Sequence, residues 1–216
     1  MTAKNILFDL GNVLIDLDIP ETFRKLRALI DAEHAEDAEE KINQIVSRYE
    51  RGELSDELFI NAILKLSKRE VQAGDVIDAW NAMLKGIPVR RMEWLAEMKK
   101  HHRMAVLSNT NDLHISWVRS YLKKYHPDCD FEKVFFEKIF YSHQIGCRKP
   151  EPECFQKVLN ELGWRPQDTV FIDDLEVNVK AADELGMTGM QLMPDMPVEE
   201  LIPPGSLTSS LPHTET

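Results

Sequence analysis

Residues 6–17 read ILFDLGNVLIDL, an apolar stretch broken by Asp9 and Asp16. It falls short of the ~20 consecutive apolar residues that a membrane span needs. No small-residue cleavage site follows it, so neither a transmembrane helix nor a secretory leader is expected. Its front half, residues 5–10 (NILFDL), reads as a strand buried on both faces. Three later runs have the same look: residues 104–107 (MAVL), 169–172 (TVFI) and 190–193 (MQLM). Helices lie between them. Pro88 opens one, with Met92, Leu95 and Met98 at helical spacing, and Pro152 opens another, with Phe155, Val158, Leu159 and Leu162 on one stripe before Gly163. A third runs from about 177 to 185 and stops at Gly186. Strand alternating with helix predicts an α/β fold, a Rossmann-like, doubly wound parallel sheet.

Residues 17–87 break that alternation and read as helices over 21–30, 38–49, 56–66 and 75–84. The expected organisation is a core made of residues 1–16 and 88–200, a helical insertion over 17–87, and a mobile tail over 201–216. The chain has 216 residues and a net charge of −11, and residues 31–57 carry ten acidic and three basic side chains, seven of that excess. A solvated outer helix face accounts for such a cluster. The acidity argues against nucleic acid or an anionic membrane as partner. Three cysteines without CxxC spacing predict free thiols in a reducing, cytoplasmic setting. Oligomeric state is left open.

Ligands of an open α/β sheet bind at the carboxyl ends of its strands. There the sequence places Asp9, Ser108 with Asn109, and Asp173 with Asp174, and Lys149 precedes the helix at Pro152. Three carboxylates gathered in one partly buried place repel each other unless a cation joins them. With no His or Cys at these strand ends, the hard oxygen donors favour Mg²⁺. A carboxylate facing a cation, a lysine and a hydroxyl suits phosphoryl transfer, with Asp9 as nucleophile and Lys149 neutralising phosphoryl oxygens. Ser108 and Asn109 are the candidates to hold the remaining phosphoryl oxygens.

These residues carry a resemblance. FDLGNV with Asp9, VLSNT with Ser108, RKP with Lys149 and FIDDLEVN with Asp173 and Asp174 resemble the four ordered motifs of the haloacid dehalogenase-like (HAD) superfamily. The insertion after the first strand resembles that family's C1-type cap. ERGELSDELF (50–59) and SNTNDLH (108–114) are similar to the branch holding α-glucose-1-phosphate phosphatases and the N-terminal phosphatase domain of epoxide hydrolases. The resemblance implies a Mg²⁺-dependent phosphatase acting on a small phosphorylated metabolite, a sugar phosphate with anomeric esters among the candidates, through an aspartyl-phosphate. It also implies metal held by Asp9, the backbone carbonyl of Gly11, and Asp173 with Asp174, of which Asp174 is the favoured direct ligand.

One position departs from the pattern. Gly11 stands where most phosphatases of this superfamily carry a second Asp as general acid and base, a role generally worth ~10²–10⁴-fold in rate. Three explanations compete: a substrate with a good leaving group, a substitute such as Asp16 or His114, or a protein that binds phosphorylated ligands with poor turnover. Asn12 is a candidate for an unusual backbone angle or a ligand role, and Asn178 for support of the acidic pair. The alternatives to a phosphatase are a metal-free 2-haloacid dehalogenase and a non-catalytic phosphate-binding protein.

Overall fold

The computed structural model describes residues 4–204, 206 and 207. In chain order its elements are β1 (Asn5–Phe8), β2 (Asp16–Leu17), α1 (Ile19–Leu29), α2 (Ala38–Glu50), α3 (Asp56–Leu64), α4 (Ala73–Asn81) and β3 (Leu84–Gly86). There follow α5 (Val89–Met98), β4 (Arg103–Ser108), α6 (Asp112–Tyr125), α7 (Phe131–Phe135), β5 (Lys138–Tyr141) and α8 (Ser142–Ile145). The chain continues with α9 (Pro152–Leu162), β6 (Thr169–Asp173), α10 (Glu176–Glu184), β7 (Thr188–Gln191) and α11 (Val198–Leu201).

Among the described residues the main sheet has five strands in the order β5-β4-β1-β6-β7, and every pairing is parallel. All four residues of β1 are buried, as the uninterrupted NILF run requires of a central strand covered on both faces. Successive side chains point to opposite faces. Phe8 packs edge-on against Trp94 of α5 at 5.8 Å. Leu7 instead joins Phe155 of α9, Phe171 and Ala182 of α10 in a second buried cluster. Strand order reverses at β1, with β4 on one side and β6 on the other, so the crevice between the ends of β1 and β6 is the switch point at which such sheets bind ligands.

The helices of residues 17–87 pack on one another through aromatic contacts. Tyr49 stacks on Phe59 at 4.3 Å, and Phe59 lies 5.0 Å from Trp80. Thr22 is buried and fastens α1 to the end of α4, its hydroxyl donating to the Trp80 carbonyl at 3.0 Å and accepting from the Met83 amide at 2.9 Å. Where the chain leaves and re-enters the core, β2 pairs antiparallel with β3, Asp16 opposite Gly86 and Leu17 opposite Leu84. The sequence reading had carried a helix through to 84. Met83 and Leu84 extend the apolar stripe of α4, and strands of two and three residues have too few positions to show a period of two.

Three further departures have physical reasons. Edge strand β5 was not expected, because its apolar run, 139–141, is only three residues long and lies close behind the apolar VFF of 134–136. The last strand covers Thr188–Gln191 and not 190–193, because β7 is half-buried throughout and the apolar residues that marked it extend past its end. The expected mobile tail begins inside α11. Ile202 is buried and its carbonyl accepts from Trp94 Nε1 at 2.8 Å, and Leu207 is buried as well. The remainder of that tail, residue 205 and residues 208–216, lies outside the described residues.

Candidate active site

Asp9 follows β1 directly, and Asp173 is the last residue of β6. These neighbouring parallel strands deliver their carboxylates to one edge of the sheet, and Lys149 joins them. Its Nζ lies 2.6 Å from Asp9 Oδ1 and 2.7 Å from Asp173 Oδ2, with all three groups buried. One ligand oxygen from each of Asp9, Asp173 and Asp174 lies within 4.8 Å of the others. Asp173 is saturated with donors. Asn178 Nδ2 reaches both its oxygens at 3.0 Å and the Leu175 amide reaches Oδ1 at 2.8 Å. Asp174 is half-buried and accepts from Asn12 Nδ2 at 2.8 Å. Asn12 therefore has both roles open to it, since its φ of 55° also turns the chain after Gly11.

Electrostatics follow from this crowding. Burial raises the Asp9 carboxyl to about 7, with Asp173 and Asp174 pushing the same way against the opposing Lys149. Asp174 is also raised, chiefly by burial, with Asn12 opposing. For Lys149, burial alone would lower the pKa, and the two carboxylates more than reverse it, so the ammonium is held charged. A triad of carboxylates facing one lysine retains excess negative charge. Their oxygens lie close enough together to hold a second cation, and an all-oxygen donor set suits Mg²⁺.

Asn109 has a further task at the lysine loop. Its Oδ1 accepts from the Lys149 amide at 2.8 Å and its Nδ2 donates to the Lys149 carbonyl at 2.9 Å. Oδ1 and one Nδ2 hydrogen are spent on the lysine loop, so Asn109 aims Lys149 while also lining the cavity. Ser108 closes β4, is buried, and lines the cavity in front of Asp9.

The two candidates to replace an acid at position 11 are both engaged with the protein itself. Asp16 pairs with Arg91 Nη1 at 2.7 Å and lines an adjoining depression that also includes Asn12 and Asp174. His114 lines the cavity, but both ring nitrogens are taken, Nε2 at 3.2 Å from the Trp80 carbonyl and Nδ1 at 3.3 Å from Asn111 Nδ2. Burial depresses it to about 4, so it is neutral at pH 7 and has no proton to give. At Gly11 itself, a Cβ would sit 2.6 Å from Leu17 Cδ1. A leucine methyl thus occupies the space next to the absent side chain.

The cavity over these groups measures about 270 Å³ and is closed on its far side by residues of the helical segment, among them Phe23, Val46 and Glu50. Sequence reasoning passed over Glu50 and Arg148, which face each other at 2.7 Å in the cavity wall. Burial raises the Glu50 carboxyl, with Arg148 opposing. Beside this pair, Arg51 forms an ion pair with Glu151. The end of α2 is in this way fixed to the loop that carries Lys149. Adjacency to Lys149 was the available signal for Arg148, whereas nothing in ERGE distinguishes an inward-facing glutamate from its exposed neighbours.

Comparison with known proteins agrees with this geometry. The family model described as haloacid dehalogenase-like hydrolase matches residues 3–186. A D-ribitol-5-phosphate phosphatase of Bacteroides thetaiotaomicron is 30% identical over 195 residues, covering 87% of this chain and 91% of that one. A sesquiterpene phosphatase of Aspergillus oryzae is 28% identical over 201 residues, 88% and 90% of the two chains. A crystal structure of a HAD-family enzyme of Bacteroides thetaiotaomicron in complex with magnesium and inorganic phosphate superposes with a TM-score of 0.79 at 31% identity, covering 93% of this chain and 99% of the other. A dehalogenase structure at 18% identity and a TM-score of 0.59 shares the fold. The chain belongs to the haloacid dehalogenase-like hydrolases.

Proposed function

We propose that the protein is a Mg²⁺-dependent phosphomonoesterase acting on a small phosphorylated metabolite through an aspartyl-phosphate on Asp9. The observation that carries this reading is Lys149 Nζ set between Asp9 and Asp173 at 2.6 and 2.7 Å, in a carboxylate triad that needs a further cation. Asp9, Asp174 and the Gly11 carbonyl would hold Mg²⁺, with Asp173 beside them. When bound, the ion offsets the carboxylates and the charge on the phosphoryl oxygens. Lys149 keeps one Asp9 oxygen fixed while the other attacks phosphorus and the P–O bond to the substrate breaks. Ser108 and Lys149 hold equatorial oxygens, which is where most of the catalysis of such transfers lies. Water then attacks the phosphorus of the aspartyl-phosphate, releasing inorganic phosphate and restoring the carboxylate. Gly11 offers no proton to the departing oxygen.

The expectation of a sugar phosphate is supported by the similarity to a ribitol-phosphate phosphatase. The likeness to a sesquiterpene phosphatase points toward an apolar organic part. A metal-free dehalogenase is disfavoured by the acidic pair, since adjacent buried carboxylates serve no purpose without a cation.

Steady-state assays separate these readings. Hydrolysis of p-nitrophenyl phosphate that requires Mg²⁺ and stops in chelator is the expected result. Release of chloride from chloroacetate in chelator would establish the dehalogenase instead. Phosphate-ester hydrolysis at the rate of buffer would leave a binding protein.

A further inference from the structure

A charged pair interrupts the apolar wall of the cavity. The segment 17–87 brings Phe23, Val46, Trp80 and Met83 to that wall together with Glu50, and Arg148 meets Glu50 from the loop that carries Lys149. Arg148 Nη2 lies 2.7 Å from Glu50 Oε2, yet the contact is not aligned as a hydrogen bond. Glu50 Oε2 and Arg148 Nε are both buried and, among the described residues, neither has a hydrogen-bond partner. Their polar neighbours on the wall are engaged. His114 uses both ring nitrogens, and Trp80 Nε1 donates to Asn111 Oδ1 at 3.2 Å. Tethering α2 does not account for the pair, because Arg51 and Glu151 already join the same two segments.

A buried donor or acceptor left unpaired costs stability, so folded proteins keep few of them. The chemistry of these two atoms points to a ligand that pairs both. A carboxylate oxygen accepts and a guanidinium N–H donates. A hydroxyl answers each, giving its hydrogen to Glu50 Oε2 and accepting from Arg148 Nε, whereas a methylene answers neither. Water meets the same need in the free enzyme, and a ligand that displaces it without reproducing its bonds loses affinity. A volume of about 270 Å³ also sets a size, at the small end of ligand pockets, which run from ~300 to ~1,000 Å³. We infer that Glu50 and Arg148 read hydroxyl groups on the organic part of the substrate, which is the phosphate monoester of a short polyhydroxylated alcohol and not of a hydrocarbon one. The inference rests on the phosphatase reading above and adds the residues that set its specificity.

The test compares kcat/KM for D-ribitol 5-phosphate and n-pentyl phosphate with Mg²⁺, using p-nitrophenyl phosphate as the control. The two esters share chain length and a primary alkoxide leaving group, so their ratio reports the hydroxyls. A hydrogen bond to a charged group contributes about tenfold or more, so two of them predict a preference for ribitol 5-phosphate of roughly 10²-fold. In the double variant Glu50→Leu with Arg148→Met, which leaves neither charge buried without its partner, the ratio is expected to fall toward one. A ratio near one in the unchanged protein, or one favouring pentyl phosphate, with p-nitrophenyl phosphate hydrolysed, would overturn the inference and leave the phosphatase reading standing. That arm needs no variant to fold. A preference that persists undiminished in the double variant would overturn the assignment to Glu50 and Arg148. Hydrolysis of none of the three esters would remove the phosphatase reading and this inference with it.

Discussion

His114 shows how a residue can sit in a catalytic cavity and serve the fold. It stacks on Trp80 at 4.7 Å, and its Nε2 faces the Trp80 carbonyl, so it ties α6 to the end of α4. Burial lowers its pKa from 6.5 to about 4. The unfolded chain therefore takes up a proton below about 6.5 while the folded one resists until about 4. The stabilisation from the neutral ring is complete above 6.5 and is lost as pH falls toward 4, a total on the order of 3 kcal/mol. Denaturant unfolding between pH 4.5 and 7.5 should show a shallower loss on the acid side for His114→Phe than for the unchanged protein. The comparison cancels other carboxylates that titrate in the same window. Parallel curves would contradict the assignment. At this scale the sequence revealed residue types at strand ends, which located Asp9, Ser108, Asp173 and Asp174. It could not reveal what each side chain touches. Asn109 was legible as a site residue and illegible as the clamp on Lys149, because its partner is backbone forty positions away.

Among the elements, the junction between α2 and the core is the most exacting. Gly52 has φ of 75°, and a Cβ there would lie 2.2 Å from the His143 carbonyl oxygen, a backbone atom that cannot swing aside. Gly52→Ala should therefore push the end of α2, with Glu50 and Arg51, away from the Lys149 loop. A destabilisation of roughly 1–3 kcal/mol is expected from strain of this kind. Because the same displacement opens the cavity wall, KM should rise in the variant while the Asp9 machinery is retained. Urea unfolding together with substrate titration checks both, and unchanged values in each would show that the junction tolerates a side chain. Long helices with one apolar stripe, such as α2 and α9, were legible from periodicity because packing on one face is what that spacing records. The β2–β3 pair and β5 were not, since strands of two and three residues show no period and the three apolar residues of β5 are too few to mark a strand.

On the scale of the whole molecule, charge and function are kept apart. Of the acidic excess, the part at residues 31–57 lies mostly outward, with Glu33, Glu36, Glu39 and Glu40 exposed. Glu50 is the exception turned inward, paired with Arg148. The fold class was legible because a parallel sheet must bury its strands on both faces, which marks them as apolar runs. The order of the strands adds what makes a site of them. By reversing at β1 it sets Asp9 beside Asp173, and Lys149 arrives from the loop before α9 to bridge them. In the proposed reaction Asp9 is the group that attacks phosphorus. Asn at that position keeps the shape and removes the nucleophile, so the decisive measurement is steady-state hydrolysis of p-nitrophenyl phosphate with Mg²⁺ by Asp9→Asn beside the unchanged protein. An active protein and a variant at the rate of buffer are expected. Full activity in the variant would contradict Asp9 as the nucleophile.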